Sequence, residues 1–154
     1  MKKVISSRNA PTAIGPYSPG IKIGDFIFLS GQVPLEPITN KLVSDDLKEQ
    51  TVQVFENIKA LLKEINLDLK SVVKTTVFMT DLSKFKEMNE IYGTYFKEPF
   101  PARSTIEVSS LPANAQVEIE CIVIDTTQYE QELVNSMRED TTSTGCSGCN
   151  KTGR

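Results

Sequence analysis

Residues 47–79 read LKEQTVQVFENIKALLKEINLDLKSVVKTTVFM, and the hydrophobic period changes within them. Leu47, Val54, Phe55, Ile58, Leu61, Leu62 and Ile65 recur at three- and four-residue steps. That spacing predicts one apolar face of an α-helix of about five turns. Ser44, Asp45 and Asp46 stand where its first N–H groups need acceptors, and Asp46 with Glu49 has capping-box spacing. From Ser71 the chain becomes β-branched, as SVVKTTVFM, which predicts a strand because such side chains fit a pleated surface. A helix followed so closely by a strand points to layers of both kinds.

Upstream, KKVI (2–5) reads as a short strand. SSRNAPTAIGPYSPG (6–20) holds three prolines and two glycines and predicts a loop. A loop of that length in a small domain is often functional. IKIGDFIFLSGQV (21–33) predicts two strands with Gly24-Asp25 as the turn between them, and PLEPITNKLVS a second loop. Downstream, Asp81 or Ser83 opens a second helix with Phe85, Met88, Tyr92, Tyr95 and Phe96 facing inward, and Pro99 and Pro101 end it. RSTIEVSSL and AQVEIECIVI alternate as strands around a turn at Pro112-Ala113-Asn114. The first puts Arg103, Thr105 and Glu107 on one face. The second puts Val117, Ile119, Cys121 and Val123 on one face and Glu118 and Glu120 on the other.

The order is strand, strand, strand, helix, strand, helix, strand, strand. It predicts an α+β fold, a mixed six-stranded sheet with two helices on one face. No remaining element covers the other face, so subunits are expected to associate across it. Residues 1–125 form the predicted domain. Residues 126–154 form a C-terminal extension, with a short helix in QYEQELVNSMRED and a small, polar, disordered tail from Thr141.

Composition narrows the chemistry. The 154 residues carry a net charge of −3 and no histidine. Ser-His-Asp and Cys-His catalysis and His-ligated metal sites are therefore excluded. Neither GxGxxG nor GxxxxGK[ST] occurs, so the usual phosphate-cradling loops are missing. No apolar run is long enough to span a bilayer, and MKKVISSRNAP has no apolar stretch of a signal peptide. Three cysteines make no secreted disulfide framework. A cytoplasmic protein is expected, with no membrane or nucleic-acid partner, no metal and no cofactor.

The stretches NAPTAIGPYSPG, FIFLSGQVP, VVKTTVFMTDL, MNEIYGTYF, FPARSTIEVSSLP and VEIECIVI occur in this order at near-constant spacing. In them the chain resembles the RidA (YjgF-type) reactive imine and enamine deaminases over residues 1–125. The resemblance implies a chorismate-mutase-like fold and a homotrimer whose three sheets line a central barrel, with active sites in clefts between neighbouring subunits. It implies hydrolysis of 2-imino and enamino acids such as 2-aminoacrylate to 2-keto acids and ammonia, the 2-iminobutanoate/2-iminopropanoate deaminase reaction.

By this resemblance Arg103, in FPARS, holds the substrate carboxylate, for which a guanidinium offers a bidentate fork. Its plainer alternative is a surface salt bridge at a strand start. Glu118 holds and polarises the attacking water, its plainer alternatives being a solvated strand carboxylate or a salt bridge within the trimer. Glu120 points the same way, so choosing Glu118 over it rests on the resemblance. A hairpin of the last two strands with Glu118 opposite Glu107 would bring Thr105 to about 7–8 Å on the diagonal. Tyr17 matches a cleft-closing tyrosine, Ser30 and Gly31 would present backbone groups to the pocket, and Asn89 matches a helix asparagine lining it. Thr105 stands where many family members have cysteine. A hydroxyl is a weaker nucleophile than a thiolate, which argues against covalent catalysis. Cys146 and Cys149 in CSGC form a CxxC, read as exposed thiols of the tail rather than a metal or redox site. Cys121 reads as buried packing. The competing functions are a non-catalytic, small-carboxylate-binding regulatory trimer, RNA cleavage, and a holdase. The acidic balance and the missing basic-aromatic stripe weigh against RNA.

Overall fold

A computed structural model describes residues 1–143, and with them side-chain surroundings as far as Arg138. The elements are β1 (Lys3–Ile5), β2 (Gly20–Ile23), β3 (Phe26–Gln32), α1 (Leu47–Lys63), β4 (Val72–Met79), α2 (Phe85–Tyr95), β5 (Ala102–Glu107), β6 (Val117–Ile124) and α3 (Thr127–Ser143). The six strands form one mixed sheet in the order β1-β2-β3-β6-β4-β5, with only β4 and β5 parallel.

Helix α1 forms as its spacing predicts. Asp46 Oδ1 accepts from the Glu49 N–H at 2.9 Å, and Val54, Phe55, Ile58, Leu61 and Leu62 are fully buried. These residues meet Met88 and Tyr92 of α2, Phe96 just past its end, and the inward face of the sheet, Ile27, Leu29, Val77, Ile119, Cys121 and Val123, in one core. Phe55 is its pivot, stacked on Tyr95 at 4.5 Å and edge-on to Tyr92 and Phe96 at 5.6 Å. Fully burying a ring of this size contributes roughly 1.5–3 kcal/mol. Gly24 takes the positive φ (57°) that the tight β2–β3 turn requires.

The strand alternation holds in the structure. On β6, Val117, Ile119, Cys121 and Val123 are buried while Glu120 and Ile122 are exposed. The outer face carries Phe26, Phe28, Ile106 and Ile122, all exposed, so the two core helices cover only one side of the sheet.

Three expectations need correction. The last two strands are not a hairpin: β5 lies parallel to β4 at the sheet edge, and β6 runs on the other side of β4. The linker at Pro112–Asn114 is a 3₁₀ turn with Ala113 and Asn114 at positive φ, and it carries the chain past β4. The second helix begins only at Phe85, since Asp81 caps a separate 3₁₀ turn, Leu82–Lys84, by accepting from the Ser83 N–H. The C-terminal helix is longer than expected and runs to Ser143, into the segment expected to be disordered. The rest of that tail, with Cys146 and Cys149, lies outside the described residues. No helix among the described residues is long and apolar enough to cross a membrane.

Candidate active site

Four of the candidate residues meet in one cleft of about 530 Å³. Tyr17, Ser30, Gly31 and Glu118 line it, with apolar walls from Ile14, Val33, Leu35 and Pro112. The long N-terminal loop reaches it because Ser30 fastens it twice. The Ser30 N–H donates to the Pro19 carbonyl at 2.9 Å, and Ser30 Oγ donates to the Ser18 carbonyl at 2.7 Å. The opposite wall is held from beneath. Asn57, fully buried on α1, donates from Nδ2 to the Val33 and Leu35 carbonyls at 3.2 and 3.0 Å.

Gly31 has a reason to be glycine that is not conformational. A β-carbon built there would lie 1.9 Å from Glu118 Oε1 and 2.8 Å from its Cδ. The Glu118 carboxylate therefore occupies the space that any side chain at residue 31 would fill. Partial burial, with the nearby Glu120 charge second, holds the Glu118 pKa above the ordinary glutamate value. No hydrogen bond to a protein group engages its carboxylate among the described residues.

Arg103 and Thr105 lie elsewhere on the chain. They pair in register with Thr75 and Val77, two fully buried residues of the helix-covered face. Glu118 pairs with Phe78, whose position faces the other way. Arg103 and Glu118 therefore stand on opposite faces of the same sheet, and the expected diagonal approach of Thr105 to Glu118 does not exist within one chain. The Arg103 guanidinium lies over the Tyr92 ring at 4.4 Å and the Phe85 ring at 5.4 Å, both on α2. Among the described residues it has no carboxylate partner, so the salt-bridge alternative is not what the structure shows. Asn89 is exposed on α2, one turn after Phe85 and three residues before Tyr92, and so belongs to the Arg103 side. Cys121 is buried, and burial pushes its thiol up to about 12, which suits packing and not nucleophilic attack.

One chain thus carries two separate sets of groups: a half-buried carboxylate in a cleft, and an acid-free guanidinium framed by aromatic rings. The sequence model of the family described as Endoribonuclease L-PSP matches residues 7–125, which hold every one of these groups. The chain belongs to this family. It is 50% identical to a RutC family protein of Pyrococcus horikoshii over 122 residues, 79% of this chain and 97% of that one. It is 51% identical to Reactive Intermediate Deaminase A, chloroplastic, of Arabidopsis thaliana over 121 residues, 79% of this chain and 65% of that one. Among solved structures, a Rid family protein from Yersinia pestis superposes with a TM-score of 0.79 at 47% identity, covering 81% of this chain and all of the other. RidA from an Antarctic Psychrobacter superposes with a TM-score of 0.77 at 41% identity, covering 80% and 99%. The L-PSP family thus includes a protein named for deamination of reactive intermediates, and the mixed six-stranded sheet is its fold.

Sequence reasoning assigned Phe85 and Tyr92 to the core alone. Tyr92 is there, at 5% exposure, but Phe85 is 36% exposed and frames Arg103. The i, i+7 spacing on α2 was the available signal, since it puts both rings on one side of the helix.

Proposed function

We propose that this L-PSP family protein hydrolyses reactive 2-imino and enamino acids, such as 2-aminoacrylate, to 2-keto acids and ammonia. By reaction class it is a 2-iminobutanoate/2-iminopropanoate deaminase, a hydrolase of C=N bonds. The observation that carries the reading is the Glu118 carboxylate, half-buried in a cleft, raised in pKa and seated in the space left by Gly31.

The enamine tautomerises to the imine, R–C(=NH)–COO⁻. Arg103 holds its carboxylate through two parallel N–H donors. Glu118 positions a water and accepts its proton as the oxygen bonds to the C=N carbon. The nitrogen takes up a proton, giving a tetrahedral carbinolamine. The carbinolamine hydroxyl then gives up its proton as the C=O bond forms, the amino nitrogen takes up a proton, the C–N bond breaks, and ammonia leaves the 2-keto acid behind. A group that accepts and returns protons works best with a pKa drawn toward the operating pH, the direction in which Glu118 is shifted. Tyr17 closes the cleft, backbone groups of Ser30, Gly31 and Thr105 contact the ligand, and Asn89 lines it. The route needs no cofactor.

Because Arg103 and Glu118 face opposite ways in one chain, the reading takes the protein as a homotrimer. Each site then joins the Glu118 cleft of one copy to the Arg103 face of the next. The bare outer sheet face, with Phe26, Phe28 and Ile122, supports such burial. The reading takes residues 1–125 as the working domain, residues 126–154 as an extension, and the cytoplasm as its place of work.

A coupled assay tests it. A dehydratase releases the enamine from serine or threonine, and 2-keto acid formation is followed with and without the protein. Acceleration by wild type, its loss in Glu118→Gln with 2-keto acid binding kept, and a raised KM in Arg103→Ala are the expected results. No acceleration by folded wild type would leave the non-catalytic, small-carboxylate-binding reading in its place.

A further inference from the structure

We infer that Phe85 and Tyr92 are positioning residues. They form an aromatic clamp that aims the Arg103 guanidinium at the substrate carboxylate without neutralising it. The inference rests on the reading of Arg103 as the carboxylate anchor.

The geometry is specific. A guanidinium can be held by an acid, which occupies its N–H edge and cancels its charge, or by aromatic faces, which occupy only its flat surfaces. Arg103 has the second kind of partner from two rings, at 4.4 and 5.4 Å, and the first kind from no described residue. No described residue accepts a hydrogen bond from it, so its donors are left for a ligand and its charge stays whole.

The platform under it is rigid. The Tyr92 hydroxyl shares a 2.8 Å hydrogen bond with Thr75 Oγ1, and Thr75 is the register partner of Arg103 on β4. The Tyr92 ring is further fixed by Phe55 at 5.6 Å and Phe96 at 4.8 Å. The strand that presents the arginine and the ring beneath it are thus tied to the same buried threonine. Phe85 stands one helical stretch away on the open side, at the first residue of α2, and borders the guanidinium from there. The clamp spends no carboxylate, and so no competing anion, on orienting the anchor.

The test measures binding of 2-oxobutanoate to the full-length protein by calorimetry, beside steady-state kinetics on the enzymatically generated imine. Phe85 is half-exposed, so Phe85→Leu keeps the core intact. It is expected to weaken 2-oxobutanoate binding and raise KM roughly 3–30-fold, the span of an arginine–aromatic contact, with kcat within about twofold. Phe85→Tyr, which keeps an aromatic ring beside the guanidinium, restores both. In an Arg103→Ala background Phe85→Leu adds no further loss. Phe85→Leu binding like wild type while Arg103→Ala binds weakly overturns the clamp and leaves the anchor standing. An equal loss from Phe85→Leu in both backgrounds also overturns it. Unchanged affinity in Arg103→Ala alone overturns the anchor itself and the clamp with it.

Discussion

Replacing Gly31 by alanine should disable the protein without unfolding it. The new β-carbon would meet Glu118 Oε1 at 1.9 Å, Cδ at 2.8 Å and Cγ at 3.0 Å. A carbon–oxygen contact relaxes at about 3.2–3.5 Å, so the carboxylate must retreat by roughly 1.3–1.6 Å. The backbone has no part in the effect, because residue 31 is not among the positive-φ positions. Glu118 is half-buried and opens onto the cleft, so it has room to swing away. The stability cost should stay within about 1–2 kcal/mol, overpacking partly offset by the entropy that alanine removes from the unfolded chain. For a chain of this length that lowers Tm by about 2–8 °C. The catalytic cost should be larger, since a displacement of about 1 Å in a positioned group costs on the order of 100-fold. The assay is kcat/KM in the coupled reaction, beside a thermal melt. Combining Gly31→Ala with Glu118→Gln should cost little more than Glu118→Gln alone, because both act through one carboxylate. A folded Gly31→Ala protein with wild-type kcat/KM would refute the reasoning.

Other outcomes follow from the same structure. Glu118 must be ionised to accept a proton and its pKa is raised, so the acid limb of kcat/KM should fall at a higher pH than for an ordinary glutamate; Glu120→Gln removes the like charge and should move that limb to lower pH. A limb unmoved by Glu120→Gln would count against the coupling. Asn57→Ala strips both donors from the Val33 and Leu35 carbonyls and should cost about 2–3 kcal/mol in chemical denaturation, with looser ligand binding because both residues line the cleft. Tyr92→Phe leaves the Thr75 hydroxyl unpaired in the core and should cost about 1–2 kcal/mol. A chain ending at Thr126 should keep the wild-type melt and turnover, since every group invoked in the reaction precedes that point; loss of turnover would make the extension part of the site.

Much of this fold was legible because period is a local property. The three- and four-residue steps from Leu47 and the alternation from Val117 each fix which side of one element is buried, and both hold. Pairing is not local. The alternation of β5 correctly groups Arg103 with Thr105, and that of β6 correctly separates Glu118 from Ile119. Relating the two strands requires knowing that β4 lies between them. A hairpin is the cheapest guess for consecutive strands, and here the buried, β-branched β4 takes the central place and pairs with both. The same limit hid the cleft walls. Ile14, Val33 and Pro112 come from three loops whose meeting no periodicity records. Phe85 was read as inward because helical spacing gives a direction, not how far the covering sheet extends.

The opposed faces of Arg103 and Glu118 have a consequence for mixed populations of this protein. Were both groups on one side of one chain, an Arg103→Ala subunit and a Glu118→Gln subunit would stay dead however they were blended. If, as proposed, each site draws its guanidinium and its carboxylate from different copies, a co-assembled blend in equal amounts restores both intact halves in roughly a quarter of the sites. Two inactive preparations would then produce an active one on unfolding and refolding together. In a cell carrying two damaged copies of the gene, each lesion could be rescued by the other.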